Sequence, residues 1–429
     1  MNHPKNLSTK YPSRKAYALV DGNNFFASCE QVFNPKLLRK PIGILSNNDG
    51  CIIARSNELK QLGVPMGTPK FKWNKFLQSH DVHLFSANFS LYGDMSKRMM
   101  MTLTSIVPSI EIYSIDEAFL DCSMFPPSEL NKLATRIYQT VPRWIGIPVG
   151  VGIAPTKVLA KIANHFSKKH QCPFVIYFDK IADSLRDLPI KDVWGIGRRL
   201  TKKMNALGIF TAYDFYKKDE EWVKQRFSII EQKLHKELQG KPVLHLNRTA
   251  NKKSICVSRS FEKSVSHKEY LFDAVSCFLN SAVEKLRRQE SLAGLLHIFI
   301  QTNRFHKGNY YSGMDIIRLT HTNETSQFLQ SARRSFDKIW KPHSYKRAGV
   351  ILSDFISIKD YQPTFFENEN LNPKLQKLQK TIDTINKTHA KQQMGIASVG
   401  HLMKNWKMNR KNLSPAYTTR IEDLIKIHI

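Results

Sequence analysis

The sequence lacks the features that mark membrane, secreted or cysteine-metal proteins. No run approaches the roughly 18 apolar residues of a membrane-spanning helix. The start, MNHPKNLSTKYPSRKA, has positive charge but no apolar core. We therefore expect no signal peptide there, and we expect residues 1–15 to be a disordered basic extension. The six cysteines never approach CxxC spacing, which argues against zinc and a disulfide framework and favours a reducing cytoplasm.

Acidic residues are also scarce. The chain has 36 Asp and Glu against 65 Lys and Arg, which gives a net charge of +29 and a pI near 9.8. Such an excess indicates an anionic partner, with nucleic acid the leading candidate and a membrane surface the second. At 429 residues the chain is too long for one core, so we expect roughly three to five domains or subdomains.

The pattern of apolar residues predicts an α+β, multidomain protein. The first 180 residues mix strands and helices in the βαββαβ order, with one strand region at 111–121 and a hairpin around Asp49-Gly50. Residues 183–240 are predicted to be helical, and 255–358 a second βαββαβ unit. The tail from 362 is polar and predicts one helix and no core.

Two adjacent carboxylates lie in an apolar setting in EIYSIDEAFLD, residues 111–121. Burying an unpaired carboxylate is costly, so such a group protonates, pairs or binds a metal. Asp116 and Glu117 would face opposite sides of a regular strand, but a strand end, bulge or turn would bring both to one point. Asp21, after the first predicted strand, offers a third carboxylate. Three oxygen ligands suit Mg²⁺, whereas simple turns and solvated loops remain alternatives.

Two basic segments have a recognisable geometry. In the helix predicted from 156, one face is basic and the other apolar; the polar face holds Lys157, Lys161, Asn164 and Lys168. A solvated surface stripe is the alternative for this face. The GIG sequence at 195–197 opens a second basic helix and is typical of a helix-hairpin-helix, where glycines let backbone N–H groups approach a phosphate.

Several motifs, in this order, resemble those of the Y-family of translesion DNA polymerases. They are VDGNNFFASCE, LSNNDGCIIARS, YSIDEAFLD, VGVGIAPTKVLAKIANH and DVWGIGRRL. Together with NLSPAYTTR near the C-terminus, they are most similar to UmuC-type catalytic subunits of bacterial DNA polymerase V. The resemblance implies a right-hand polymerase that extends a primer with dNTPs, in translesion synthesis and SOS mutagenesis.

The resemblance also implies a segmentation of the chain. The palm would comprise 16–32 and 87–181, the fingers 33–86, the helix-hairpin-helix thumb 182–246, and the little finger 254–361. Residues 362–429 would be a partner-binding tail. The implied partners are primer-template DNA, a cleaved UmuD-type dimer, a recombinase filament and a sliding clamp, in the bacterial cytoplasm and nucleoid.

Individual residues take roles only through this resemblance. Asp21, Asp116 and Glu117 would be catalytic and, with the Gly22 carbonyl, would hold two Mg²⁺ ions. The implied nucleotide-binding residues are Phe25, the steric gate Phe26, Arg55, Lys60 and Lys168. The implied or proposed DNA-binding residues are Lys157, Lys161, Gly195, Gly197, Arg198, Arg199, Lys202 and Arg259. The clamp-binding residues would be Gln362, Phe365 and Phe366, in a motif with Pro363 where an aliphatic residue is usual.

Two other functions stay open on the sequence alone. A nucleotidyl cyclase also uses a βαββαβ palm with paired carboxylates, although the helix-hairpin-helix and the +29 charge argue against it. A non-catalytic DNA-binding accessory factor on a polymerase fold is the other alternative. The presence of all three carboxylates argues against that reading.

Overall fold

The chain folds into two compact units. The computed structural model describes residues 15–247, 251–305, 308, 310–362, 373–388, 394 and 408–424. One unit comprises Met1–Thr249 with Lys411–Ile429, and the other comprises Ala250–Arg410. Of the predicted basic extension, all but Lys15 lies outside the described residues. No helix within the described ranges is long and apolar enough to cross a membrane.

The first unit alternates strands and helices and then becomes helical, as predicted. Its elements are β1 (Tyr17–Gly22), α1 (Phe25–Phe33), β2 (Ile42–Leu45), β3 (Ile52–Arg55), α2 (Asn57–Gln61), α3 (Lys70–Ser79), β4 (His83–Ser86), α4 (Phe89–Ile106), β5 (Ile110–Ile112), β6 (Glu117–Asp121), α5 (Leu130–Ile145), β7 (Val149–Ala154), α6 (Lys157–His170), β8 (Phe174–Val175), α7 (Ile181–Leu185), α8 (Arg198–Ala206), α9 (Ala212–Tyr216), α10 (Glu220–Arg226) and α11 (Ile229–Leu238).

A five-stranded sheet in the order β5-β6-β1-β7-β8 forms the centre of this unit. Side chains of β1 alternate between two cores. Ala18 and Val20 pack with α4 and α5, whereas Tyr17 and Leu19 pack with α6. By the same alternation, Asp21 at the end of β1 belongs to the α6 side. The sheet therefore directs an acidic side chain towards the basic helix.

The segment 111–121 is a hairpin rather than the single strand region that we expected. Strands β5 and β6 pair antiparallel, with Ile112 opposite Ala118. Ser114 stabilises the turn, because its Oγ accepts hydrogen bonds from the backbone N–H groups of Asp116 and Glu117 at 3.3 and 3.1 Å. The prediction missed this turn because apolar residues flank it on both sides.

A small sheet in the order β3-β2-β4 lies in the same unit. The antiparallel pairing of β2 with β3 confirms the hairpin predicted around Asp49-Gly50. Strand β4 pairs with β2 in parallel and was not predicted. It lies at the sheet edge, where a later segment of the chain joins it.

The second unit is the predicted βαββαβ fold. Its elements are β9 (Ile255–Val265), α12 (Lys268–Arg288), β10 (Ser291–Thr302), β11 (Ser312–Thr322), α13 (Thr325–Ile339), β12 (Tyr345–Ser357) and α14 (Pro373–Thr388). The sheet order is β11-β10-β12-β9, with the first strand at an edge, whereas β1 is central in the other sheet. The two units therefore share an order of elements but not a strand order.

The C-terminal tail is more structured than its composition predicts. The predicted helix exists as α14, and Asp383 on it forms a two-oxygen ion pair with Arg287 at 2.7 and 2.8 Å. The later residues 411–424 pack on the first unit, where Ser414 is buried. The expectation of a tail without core contacts is therefore wrong for this segment.

Candidate active site

The acidic residues meet at one end of the five-stranded sheet. Asp21 on β1 is the register partner of Glu117, the first residue of β6. Asp116 lies in the turn just before, and its carbonyl accepts a hydrogen bond from the Gly22 N–H at 2.8 Å. The Asp116 carboxylate accepts a hydrogen bond from Ser114 Oγ at 2.6 Å. A strand end thus brings these residues together, which is one of the arrangements that the sequence allowed.

Two lysines of α6 neutralise this acidic end. Lys168 Nζ lies 2.5 Å from Asp21 Oδ1, and Lys161 Nζ lies 3.2 Å from both carboxylate oxygens of Glu117. The pKa of Asp21 is raised to about 7, chiefly by burial; Glu117 adds to this shift and Lys168 opposes it. Asp21 and Glu117 therefore each have an ammonium partner from α6.

Close packing of α6 on the sheet makes these contacts possible. A methyl group at Gly152 would lie 2.0 Å from the backbone nitrogen of Asn164. Only glycine permits this approach of helix and strand. Asn164 itself is buried, and its side-chain amide donates to the Leu19 carbonyl at 3.2 Å.

The basic face of α6 is not the DNA-contacting surface that we expected. Lys157 is 3% exposed and pairs with Glu111 at 2.7 Å, above the ring of Phe119. Its assignment to DNA binding is wrong, because a buried, paired ammonium cannot reach a phosphate backbone. Lys161 likewise lies inside the site, against Glu117 and the ring of Tyr113. Helical periodicity identified the shared face but not what covers it.

A cluster of three cations lies beside the acidic residues. Arg55 ends β3, Lys60 belongs to α2 and Lys168 to α6. Burial lowers the pKa of Lys60, and the charges of Arg55 and Lys168 lower it further. Lys60 Nζ donates to Asn24 Oδ1 at 2.5 Å. Arg55 is half-buried, whereas Lys60 and Lys168 are exposed. Three mutually repelling cations that ligands can reach are suited to a polyanion.

The two adjacent phenylalanines have different surroundings. Phe25 is 3% exposed and belongs to the core, whereas Phe26 is half-buried. The Phe26 ring stacks on Tyr92 with ring centres 4.5 Å apart and an angle of 15°. Tyr92 in turn donates to the buried Glu30 at 2.7 Å. Sequence reasoning assigned no role to Tyr92 or Glu30, although Glu30 is the last residue of the motif VDGNNFFASCE.

The GIG segment opens α8 at the surface. Gly195 has φ +91°, and nothing lies within 4 Å of the position of an added methyl group at Gly195 or Gly197. Arg198, Arg199 and Lys202 are exposed on the same helix. This open loop before a basic helix N-terminus is suited to a phosphate.

The remaining expected contacts belong to other segments of the chain. Arg259 is exposed on β9 of the second unit. Gln362 is exposed, whereas Phe365 and Phe366 lie outside the described residues. Among the residues that the structure describes, no group of three His, Cys, Asp or Glu side chains forms a ready metal-binding cluster.

Four family models match the chain. They are the impB/mucB/samB family at residues 20–165, an IMS family HHH motif at 179–209, the impB/mucB/samB family C-terminal domain at 252–365, and a domain of unknown function (DUF4113) at 376–427. The second of these confirms the predicted helix-hairpin-helix.

Curated relatives match most of this chain, and the first two match nearly all of it. Protein UmuC of Salmonella typhimurium is 40% identical over 96% of this chain and 100% of that protein. Protein ImpB of Salmonella typhimurium is 36% identical over 95% and 98% of the two chains. A DNA polymerase IV of Bacillus velezensis is 27% identical over 79% and 81%.

Solved structures agree on the fold. A Y-family DNA polymerase chimera, Dbh-Dpo4(243-245)-Dbh, superposes with a TM-score of 0.68 over 80% of this chain and 99% of its own, at 23% identity. An insertion ternary complex of Dbh DNA polymerase gives a TM-score of 0.55 with the same coverage. The chain therefore belongs to the impB/mucB/samB family of UmuC-like proteins, and its fold is that of the Y-family DNA polymerases.

Proposed function

We propose that this protein is an error-prone, template-directed DNA polymerase of translesion synthesis, which joins dNTPs to a primer 3′-hydroxyl. The observation that carries this proposal is the acidic pair Asp21 and Glu117 beside the cation cluster of Arg55, Lys60 and Lys168. An acidic end and a basic pocket side by side suit a nucleotide triphosphate together with its counter-cations. The five-stranded sheet would be the palm, the small sheet the fingers, and the helical segment the thumb.

Two Mg²⁺ ions would bind at the end of the sheet. Carboxylate oxygens of Asp21, Asp116 and Glu117, with the Gly22 carbonyl, would hold them. The geometry supports this, because Asp21 lies opposite Glu117 in the β1–β6 pair and the Gly22 N–H donates to the Asp116 carbonyl. When bound, such ions polarise phosphate oxygens and neutralise charge that develops on them. Lys168 would then leave Asp21 for the triphosphate, where Lys60 and Arg55 also bind.

The other side chains orient the substrates. Lys161 holds the Glu117 carboxylate through contacts to both oxygens. The half-buried ring of Phe26 would exclude a ribose 2′-hydroxyl, while Phe25 fills the core beneath it. Gly195, Gly197 and the basic start of α8 would hold the phosphate backbone of the primer-template, and Arg259 would do so on the second unit.

Three further protein partners would bind this chain. A cleaved UmuD-type dimer, a recombinase filament and a sliding clamp would act with this chain on damaged DNA in the cytoplasm and nucleoid. Clamp binding would use Gln362 with Phe365 and Phe366.

Primer extension over an abasic template tests the proposal. The assay contains Mg²⁺, with and without a UmuD-type partner, clamp and recombinase filament. We expect extension by the native chain and none by Asp116→Asn, while Asp94→Asn on α4 serves as a control at a partly exposed carboxylate. Extension by both variants would disprove the catalytic assignment. DNA binding without extension in every combination would instead indicate an accessory factor, and a cyclic product from NTP alone would indicate a cyclase.

A further inference from the structure

The C-terminal strap, which we define as residues 411–420, is an integral part of the first unit. Its Asn412 extends the edge of the small sheet: the Ser86 N–H donates to the Asn412 carbonyl at 2.9 Å, and the Asn412 N–H donates to Ser86 Oγ at 3.0 Å. The ring of Tyr417 stacks on Phe33 of α1, with centres 5.0 Å apart and an angle of 7°. The strap therefore contacts both the small sheet and α1.

Ser414 lies at the centre of the strap and is 6% exposed. Its Oγ accepts a hydrogen bond from Asn88 Nδ2 at 3.0 Å and donates to Glu30 Oε1 at 3.1 Å. The hydroxyl thus uses its single donor on a buried carboxyl group. Glu30 is 1% exposed, so water cannot replace a lost hydrogen-bond donor. Removing the Ser414 hydroxyl would therefore leave the Glu30 carboxyl group with one hydrogen bond fewer.

The same oxygen of Glu30 also receives the hydroxyl of Tyr92, at 2.7 Å. Tyr92 is fully buried, and its ring is the stacking partner of Phe26. Phe26 and Glu30 lie one turn apart on α1, so both ends of this network are fixed to the same helix. A continuous set of contacts therefore runs from Ser414 through Glu30 and Tyr92 to the Phe26 ring.

We infer that Ser414 is a positioning residue for sugar selection: through Glu30 and Tyr92, the strap fixes the ring that excludes the ribose 2′-hydroxyl. This inference rests on the proposed gate role of Phe26. It also gives a role to part of the segment matched by the domain of unknown function. A purely structural strap would lower stability or overall rate but would treat dNTP and rNTP alike.

The test compares incorporation efficiency, kcat/KM, for dNTP and rNTP in the full chain with its partners. Ser414→Ala is expected to reduce the preference for dNTP by about three- to ten-fold, the effect of one buried hydrogen bond. Tyr92→Phe keeps the stacked ring but removes its hydroxyl, and we expect a similar reduction. Because both changes act through Glu30, the fold reduction in dNTP preference of the double variant should be smaller than the product of the two single reductions. Thr419→Ala, an exposed strap residue, is the matched control.

Sugar selection by Phe26→Ala and hydrogen exchange of the Ser414→Ala chain test the role of Ser414 further. Phe26→Ala should relax sugar selection more than Ser414→Ala. If Phe26→Ala has no effect, the gate role and this inference both fail, but if only Ser414→Ala has no effect, the strap inference alone fails. Independently of activity, backbone amide hydrogens in α1 and at the start of α4 should exchange faster in the Ser414→Ala chain than in the native chain. Unchanged exchange there would show that the strap does not fix these helices.

Discussion

Replacing Asp21 with asparagine should stabilise the first unit while abolishing polymerisation. Asp21 has a pKa of about 7 against an ordinary value of 3.8, chiefly because the carboxylate is buried, with Glu117 beside it. A difference of roughly three units, at about 1.4 kcal/mol each, means that the ionised group costs about 4 kcal/mol in the folded state. Asparagine has a similar shape and no charge, so it removes this cost.

The sign of the effect gives a pH dependence. Below pH 3.8 Asp21 is protonated in both states, and between 3.8 and about 7 only the folded state holds the proton. The contribution of Asp21 to the free energy of unfolding therefore falls as pH rises through that window, and it is constant above the window. The free energy of unfolding of the Asp21→Asn chain should exceed that of the native chain by about 4 kcal/mol at pH 8 and about 2 kcal/mol at pH 5. Below pH 3.8 the two should be equal.

Calorimetric melting at pH 5 and pH 8 measures this difference. About 1 kcal/mol shifts Tm by roughly 2–4 °C in a unit of this size, so the shift at pH 8 should exceed several degrees. Asp94→Asn, whose carboxylate pairs with Arg98 at the surface, should change Tm little. Mg²⁺ should raise the Tm of the native chain more than that of Asp21→Asn. An equal Tm for native and Asp21→Asn chains at pH 8 would refute the reasoning.

Three other substitutions test the corrected map of basic residues. Lys157→Ala should lower stability by about 3–5 kcal/mol, because Glu111 is left as an unpaired buried charge; chemical denaturation measures this, with exposed Lys169→Ala as the control. Lys60→Ala should raise the KM for dNTP about ten-fold through loss of a charge-assisted contact, and steady-state kinetics would contradict the triphosphate role if KM stayed the same. Gly195→Ala, at φ +91°, should weaken primer-template binding several-fold at constant salt, whereas equal affinity in fluorescence anisotropy would remove the loop from the DNA interface.

Much of the fold could be predicted because its elements are long and periodic. The second unit matches the predicted βαββαβ order, and the helix-hairpin-helix follows from glycines before a basic helix. The turn at 113–116 could not be placed, since Ser114 forms it through local hydrogen bonds inside an apolar run. Strand β4 was missed because its four residues are too short to show a period.

The site shows where periodicity stops being informative. It groups Lys157, Lys161 and Lys168 on one face of α6, but it does not say whether that face meets solvent or carboxylates. The answer lies in Gly152, which lets the helix approach the sheet, and in residues far along the chain that supply the partners. Ser414 is the extreme case, because a serine in a polar tail carries no sequence signal of burial. The role that we infer for it depends on a hydrogen bond to Glu30, 384 positions away in the sequence. Ser414→Ala can therefore separate a structural role from a role in sugar selection. Substitution of the carboxylates cannot, because it is expected to abolish polymerisation altogether.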